Sequence, residues 1–543
     1  MPMIEMTVPS EVLDRDVCGW GIKSQFGLEA RHKAQDTRHK TQHPGLALEL
    51  LCTGRRKSSL PLSTVGVGGE SESGVWRINR SVHHHRDATV SRCAADGSDV
   101  CSNLSTIMSS ERLAQSQKPT GEYRQYLPDL SLKRFQVMRG QDAHEYAHDF
   151  KTLRQPPWLH ALYMHWLDLL QEPFKGVTTD GNVRPGLFTL QDEGVPIDKI
   201  VAATQSLLSI LDDKQRQSLS YHIDSPEWRT WSNPEFLLSH KGLRLDEVTP
   251  PIRDAIMHIL ETTLSPEGYD KAVKAMRINH FLGELVDSPR VMNEFSYNFV
   301  LFGRPSPDRP WGWSFYGHHL CLNIFLYKSQ IVASPWFTGA EPNEIDSGPY
   351  AGTRIMQVEE RLGLQLMQSL APELQAQARI FAQMHDPAMP PGRWNKDDQR
   401  HLCGAYRDNR VVPYEGIPAI SLTEPQKQLL YGILEQYLLY LPARARQLKL
   451  AQVRQYEPET YFCWIGGFGD QDPFYYRIQS PVILVEFDHH SGVFLNNEEP
   501  KKFHIHTLLR TPNGGDYGMA LRPLIPAVEG LNGKEITWEK SAL

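Results

Sequence analysis

Residues 474–509 have the sequence FYYRIQSPVILVEFDHHSGVFLNNEEPKKFHIHTLL and predict three successive β-strands. The candidate strands cover residues 475–478, 482–488 and 503–509, and turn-forming residues lie between them. We expect the last two strands to pair as a hairpin across the loop 491–502. The C-terminal part of the chain is therefore predicted to be an antiparallel β-meander.

Upstream of the meander, the chain alternates between helical and strand patterns. Between residues 311 and 335, Leu320, Leu322, Ile324 and Leu326 alternate with other residues, and 330–333 follow a turn, which predicts a second hairpin. Helical spacing of apolar residues occurs at 200–219, at 252–281 with a break at Pro266, at 354–384 with a break at Pro372, and after a capping box at Thr423 and Gln426. This order predicts an α+β fold with a helical N-terminal part, a β-hairpin insertion and the C-terminal meander, and argues against a βαβ array.

Composition divides the chain and excludes several classes of protein. The first 120 of the 543 residues contain only three of its 52 aromatic side chains, so we predict that 1–120 is disordered or foreign to the fold. Residues 121–543 are predicted to form a single large α+β domain. The net charge of −7 argues against nucleic-acid binding, and no apolar run reaches the roughly 20 residues that a transmembrane helix needs.

Cysteine usage and the N-terminal sequence predict a cytoplasmic protein. The seven cysteines are scattered, are odd in number and form no C-x-x-C pair, which argues against a disulfide framework or a cysteine-rich zinc site. The first residues include early acidic side chains and no apolar segment typical of a secretory signal.

Two pairs of histidines are candidate metal ligands. His504 and His506 alternate on one strand, so both imidazoles project from the same face and can bind one ion. His318 and His319 are adjacent, so on a strand they would face opposite ways; His319 is the favoured ligand and His318 the reserve. In the alternative interpretation, these histidines are structural or lie on an exposed strand face.

Glu486 and Asp488 are the candidate carboxylates. They share one face of the strand that is predicted to pair with the H-x-H strand. Two histidines and one carboxylate form the ligand set of non-haem Fe(II), and the same residues suit a catalytic zinc. Either carboxylate could instead orient a ligating histidine or make ordinary sheet hydrogen bonds. His489 and His490, which follow directly, are expected in the turn.

Aromatic and polar residues near these motifs are candidates for a substrate pocket. We predict that Glu486, Tyr476 and Arg477 take part in catalysis, with Arg477 binding a substrate carboxylate through its guanidinium. The predicted pocket residues are Trp311, Trp313, Trp336, Glu341 and Tyr475. In the alternative interpretation the aromatic residues are core, and Arg477 pairs with Glu486 or Asp488.

Several short motifs, in the same order along the chain, resemble the domain-of-unknown-function family 3500 (DUF3500). They are PWGW at 310–313, GHHL at 317–320, TGAEP at 338–342, FYYRI at 474–478, EFD at 486–488 and HIHT at 504–507, with WRTW at 228–231 and TTDG at 178–181. The resemblance covers about residues 131–524. It implies a shared domain but no reaction. The segment 491–502 is longer than the short turn associated with the family, so no family-wide role is carried over to His489 and His490.

The sequence thus predicts a metal-dependent enzyme acting on a small organic substrate. The ligands would be His319, His504 and His506, with Asp488 or Glu486 as ligand or supporting carboxylate. We expect a divalent transition metal, with iron favoured and zinc or copper as alternatives, and a non-haem oxidoreductase or oxygenase reaction. The alternatives are a zinc-dependent hydrolase with the same ligands and a non-catalytic small-molecule binding protein. No nucleic-acid or membrane partner is expected, and the oligomeric state stays open.

Overall fold

The computed structural model describes residues 121–526. The prediction that 1–120 is disordered or foreign to the fold lies outside these residues. The α-helices of the described part are α1 (Lys133–Gly140), α2 (Ala143–Lys151), α3 (Pro157–Leu170), α4 (Ile197–Ile210), α5 (Asp213–Leu219), α6 (Pro250–Thr263), α7 (Pro266–Leu285), α8 (Gln357–Ser369), α9 (Pro372–Ala378), α10 (Glu424–Tyr437) and α11 (Ala443–Gln455). Together with the strands below, they confirm the α+β class.

Twelve strands of the described residues form one mixed sheet. They are β1 (Ser220–Tyr221), β2 (Leu243–Arg244), β3 (Tyr297–Phe302), β4 (Trp311–Gly317), β5 (Leu320–Tyr327), β6 (Gln330–Ala340), β7 (Arg379–Phe381), β8 (Ile417–Pro418), β9 (Tyr461–Gly466), β10 (Phe474–Gln479), β11 (Leu484–His489) and β12 (Ile505–Arg510). The order is β1-β3-β4-β5-β6-β12-β11-β10-β9-β7, while β2 pairs with β3 and β8 with β9.

The antiparallel pairing of β6 with β12 joins the two regions of predicted sheet. Ile505 lies opposite Ala340, and Leu509 lies opposite Trp336. Both predicted hairpins, β5–β6 and β11–β12, are present. The upstream hairpin is therefore continuous with the C-terminal meander.

Helix boundaries follow the local signals in most places. Pro266 and Pro372 each begin a helix, because a proline at the first helical position needs no hydrogen bond from its nitrogen. The predicted capping box opens α10, where Gln426 Oε1 accepts a hydrogen bond from the Thr423 N–H at 2.9 Å. Residues 379–381 differ from the predicted helix over 354–384, because they form β7 beside β9.

Apolar side chains cover both faces of the sheet. On one face, which we call the helix face, α4, α6, α7, α8 and α10 bury residues such as Ile256 and Leu430 against Trp313 and Trp336. On the other face, which we call the histidine face, α2, α3 and long loops pack on residues such as Phe337 and Leu508. Because side chains alternate along a strand, each strand contributes to both cores. Within the described residues, no helix is long and apolar enough to cross a membrane.

Candidate metal centre

Two parts of the sheet carry the candidate ligands His319, His504 and His506. His506 lies in β12 and His504 directly precedes it, so the two side chains share the histidine face. His319 lies in the two-residue turn between β4 and β5, with a positive φ of 60°. The N–H of Gly339 in β6 donates to the His319 carbonyl at 2.8 Å, and Gly339 lies opposite His506. Strand pairing through β6 therefore brings the turn to the H-x-H motif.

The three imidazoles point their Nε2 atoms toward one another. His506 Nε2 lies 3.1 Å from both His319 Nε2 and His504 Nε2. One ring nitrogen from each of the three residues lies within 4.8 Å of the others, and all three side chains are buried. This His triad, as we call it, can hold a metal ion.

Gly339 provides the space that the triad occupies. A Cβ atom at this position would lie 2.8 Å from His319 Cδ2 and 3.0 Å from His506 Cδ2. Any larger residue would push the two rings away from their present positions. The glycine in the TGAEP motif therefore has a direct steric role at the site.

The protonation states of the triad suit a cation. Burial holds the pKa values of His319 and His506 well below the usual range, and it also lowers the pKa of His504, although Glu341 opposes that shift. Near neutral pH the rings are therefore neutral, and each has a nitrogen lone pair to offer. Three adjacent neutral nitrogens cannot satisfy one another by hydrogen bonds alone, whereas a single ion between them accepts all three lone pairs.

Glu341 is the carboxylate beside the triad. Its Oε1 atom lies 3.7 Å from His504 Nδ1 and accepts hydrogen bonds from the backbone N–H groups of Val493, Phe494 and Leu495. Its Oε2 atom is buried and has no hydrogen-bond partner within the described residues. A carboxylate facing the outer nitrogen of a ligating histidine fixes the ring and raises its basicity.

The predicted carboxylates Asp488 and Glu486 share the histidine face but are engaged elsewhere. Asp488 lies opposite His506 in the β11–β12 pair, yet its Oδ1 atom accepts a 2.6 Å hydrogen bond from Arg400 Nε. Glu486 accepts from the Tyr475 hydroxyl at 2.6 Å and from two backbone N–H groups at Leu402 and Cys403. Neither belongs to the triad.

His318 lies beside the triad without joining it. The expectation that His318 and His319 face opposite ways fails because the two residues form a turn, and their rings stack at 3.9 Å. His318 Nδ1 shares a 2.8 Å hydrogen bond with Asn279, and burial lowers its pKa to about 3.

The remaining predicted site residues lie away from the triad. Arg477 pairs with Glu415 at 2.8 Å and not with Glu486 or Asp488. The Tyr476 hydroxyl donates to the Glu359 carbonyl in the core of the helix face. The three tryptophans Trp311, Trp313 and Trp336 also pack in that core. The aromatic ring that contacts the triad is Phe337, 5.0 Å from the His506 ring.

Two further histidines beside the triad were not among the predicted ligands. The His490 ring lies 3.8 Å from the His506 ring, and its Nε2 atom is 3.1 Å from Asp488. The His401 ring is 6.2 Å from that of His506, and within the described residues neither of its nitrogens has a hydrogen-bond partner. His490 directly follows β11, which carries Glu486 and Asp488, and this position could have indicated that it lies near the site. His401 comes from a loop with no periodic pattern, so nothing local indicates it.

A family model described as "Protein of unknown function (DUF3500)" matches residues 193–519. The match covers more than half of the chain and includes the whole His triad. This protein therefore belongs to that family, and the resemblance of its motifs is confirmed. Comparisons with curated proteins and with solved structures found no match.

Proposed function

We propose that this family member is a metal-dependent enzyme in which His319, His504 and His506 hold one transition-metal ion. The observation that carries the proposal is the approach of three buried Nε2 atoms, with His506 Nε2 only 3.1 Å from each of the other two. Imidazole ligands suit iron, copper, zinc and nickel. The predicted role of Asp488 or Glu486 as a metal ligand is left out of the proposal, because both carboxylates accept hydrogen bonds from other groups.

Three protein ligands favour a catalytic over a purely structural role for the ion. Structural zinc sites are closed by four protein ligands, whereas catalytic sites keep a position open for a small molecule. We infer that the position left open on the ion takes a small organic substrate. Glu341 would hold the His504 ring in place through its Nδ1 side.

The reaction we favour is oxidation of an organic molecule. A redox-active ion such as iron or copper, when bound, supplies electron transfer to oxygen. The all-imidazole ligand set and the neighbouring Phe337 ring support this choice, because imidazole suits iron and copper and an aromatic ring suits an apolar substrate. The chain itself would orient the substrate and exclude solvent.

A zinc-dependent hydrolase is the second candidate. It is favoured by the unpartnered Oε2 atom of Glu341, which could accept a proton from an activated water. In that case Glu341 would be a general base, and its role toward His504 would be secondary.

The test is elemental analysis of untagged protein purified as wild type and as His506→Gln. The matched control is His489→Gln, because His489 is equally buried on β11 but accepts a hydrogen bond from the Phe474 N–H and does not belong to the triad. We expect near one metal ion per chain in the wild type and in His489→Gln, and loss of the ion in His506→Gln. Equal metal content in all three proteins would refute the triad as the metal site.

Metal identity then separates the two reactions. Iron or copper together with substrate-dependent oxygen consumption would support oxidation. Zinc with no oxygen consumption would favour the hydrolase. If wild-type protein held no metal even after incubation with each ion, the histidines would be structural and the binding-protein alternative would replace both enzymes.

A further inference from the structure

Arg393 is a buried arginine in the loop between β7 and β8, and it is only 6% exposed. Its Nη1 atom donates a hydrogen bond to the Arg400 carbonyl at 2.8 Å. Its Nε and Nη2 atoms are buried and have no hydrogen-bond partner within the described residues. These two nitrogens lie on one edge of the planar guanidinium, where their N–H groups can donate in parallel to both oxygens of a carboxylate. The bond through Nη1 therefore holds the group and leaves that edge available.

Arg393 differs from other buried arginines of this region because it has no carboxylate partner. Within the described residues it forms no ion pair. Glu486 is not its partner, because this carboxylate lies beyond ion-pair distance and already accepts from the Tyr475 hydroxyl and two backbone N–H groups. Water can satisfy buried N–H groups, but only an anion compensates a buried positive charge. Three neighbouring arginines do have such a partner: Arg400 lies 2.6 Å from Asp488, Arg477 lies 2.8 Å from Glu415 and Arg407 lies 3.1 Å from Asp398.

The Arg393 guanidinium lies beside Tyr475 on the histidine face. Its Cζ atom is 5.0 Å from the centre of the Tyr475 ring. Tyr475 in β10 lies opposite Asp488 in β11, which in turn lies opposite His506 in β12, and directly opposed residues share one face of a sheet. Because neighbouring strands are about 4.8 Å apart, the backbones of Tyr475 and His506 are about 10 Å apart. A small organic molecule can span this distance.

His401 is a neighbour of both Arg393 and the His triad. Its ring lies 6.4 Å from the Tyr475 ring and 6.2 Å from the His506 ring. Burial is the main cause of the low pKa of His401, and the positive charge of Arg393 adds to the effect. The guanidinium, His401 and the triad therefore belong to one buried polar region.

We propose that the Nε–Nη2 edge of Arg393 binds the carboxylate of a small organic acid, and that this acid is the substrate of the neighbouring metal centre. Arg393 thereby takes the role that the sequence predicted for Arg477, which is paired with Glu415. The binding is non-covalent. The assignment of the acid as substrate rests on the proposed metal-dependent function, whereas carboxylate binding at Arg393 does not.

The first experiment is isothermal titration calorimetry near neutral pH with acetate and hexanoate, each compared with its amide, and with inorganic phosphate. We expect at least one acid to bind, with its amide about tenfold or more weaker, because the amide lacks the charge. Arg393→Met should weaken binding of the acid to the same extent. The control is Arg454→Met in α11, because Arg454 also lies over a tyrosine ring, that of Tyr431 at 3.8 Å, but is exposed. This variant should bind like the wild type.

A second variant keeps the test valid if Arg393→Met does not fold. Arg393→Lys keeps the positive charge but lacks the paired N–H edge, so we expect binding to be about fivefold or more weaker. Carboxylate binding at Arg393 is overturned if neither acid binds at millimolar concentration or if acid and amide bind equally. It is also overturned if phosphate binds more tightly than either acid, or if both Arg393 variants bind like the wild type.

The second experiment tests whether the bound acid reaches the metal centre. Hexanoate is added to Co²⁺-loaded protein, because Co²⁺ suits imidazole ligands and reports its surroundings by visible absorption. We expect hexanoate to change the spectrum of the wild type but not that of Arg393→Met. Hexanoate that binds without changing the spectrum would overturn its assignment to the substrate site. Acid binding with no Co²⁺ uptake would refute the metal proposal and leave carboxylate binding at Arg393 standing.

Discussion

Two neighbouring strands carry buried polar side chains on the histidine face, and these side chains differ in their hydrogen-bond partners. On β11, Glu486 and Asp488 are fully buried and fully engaged, by Tyr475 and backbone N–H groups and by Arg400. At β12, His504 and His506 are also buried, but their Nδ1 atoms have no hydrogen-bond partner within the described residues and their Nε2 atoms face one another. Because buried polar groups are normally hydrogen-bonded, we interpret the acids as part of the fold and the histidines as candidate ligands.

The largest expected effect comes from Asp488→Asn, which removes the negative charge that pairs with Arg400. Arg400 is itself buried, and without the carboxylate its charge has only neutral acceptors. We expect the free energy of unfolding to fall by about 3 kcal/mol or more. Urea denaturation of metal-free protein measures the loss.

The control for Asp488→Asn is Glu344→Gln, which removes one partner of the more exposed Arg354–Glu344 pair. Exposed pairs contribute less than about 1 kcal/mol, so this variant should unfold nearly as the wild type does. The interpretation of Asp488 as structural would be wrong if Asp488→Asn kept its stability and lost its metal.

A smaller effect is expected from Gly339→Ala, which disturbs the histidine side alone. The added methyl group would come within 3.0 Å of both His319 and His506, so the rings must separate. We expect metal affinity to fall at least tenfold, and stability of the metal-free protein to fall by about 1–3 kcal/mol. Competition with a chelator measures the affinity.

Gly432→Ala in α10 is the matched control for Gly339→Ala. There the nearest atom to an added methyl group, Leu362 Cδ1, lies at an ordinary contact distance of 3.5 Å. Alanine is also the better helix former, so we expect unchanged or slightly higher stability. Unchanged metal affinity in Gly339→Ala would show that the rings need not adopt their present spacing.

Glu341→Gln tests whether the carboxylate beside His504 supports the histidines. The glutamine Oε1 can still accept from the backbone N–H groups of residues 493–495, so the loop should hold while the negative charge beside His504 disappears. We expect metal affinity to fall about 10-fold or somewhat more, as is typical for loss of such a supporting group. The chelator competition is repeated, and an affinity equal to that of the wild type would exclude a role through His504.

The smallest effect concerns His401, a buried histidine that lies beside the triad. Burial lowers its pKa to about 4, below the ordinary value of 6.5. As the pH falls below 6.5, His401 becomes protonated in the unfolded chain but stays neutral in the folded protein. The free energy of unfolding therefore decreases. We expect His401→Phe to gain about 1 kcal/mol relative to the wild type between pH 6.5 and 5.5. Urea denaturation of both proteins at the two pH values measures this gain. The prediction is wrong if the difference in free energy of unfolding between variant and wild type is the same at both pH values.

Local sequence patterns predicted much of the fold correctly. The alternation around Leu322 and the H-x-H motif predicted two hairpins that the structure contains. Pro266, Pro372 and Thr423 marked helix starts correctly, because proline geometry and capping act within one turn. The helix predicted to extend past Ala378 ended early, because pairing with β9 outweighs helical preference there.

The site was predictable only in part. The shared face of His504 and His506 follows from the period of a strand, and so does that of Glu486 and Asp488. His319 was chosen on a strand argument, although it reaches the site from a turn. His401 could not be found, since it lies far from every residue of the triad along the chain and belongs to no local pattern.

The sequence by itself determined the α+β class, the family and the side chains that share a face, because these depend on periodicity and on short motifs. Only the tertiary structure decided which of the buried polar groups are free. The β6–β12 pairing brought His319 to His506, and Arg400 arrived from a distant loop to occupy Asp488. Whether a buried polar side chain is available to a ligand depends on partners that are distant in the sequence. These partners come together only when the strands and loops pack in the folded protein.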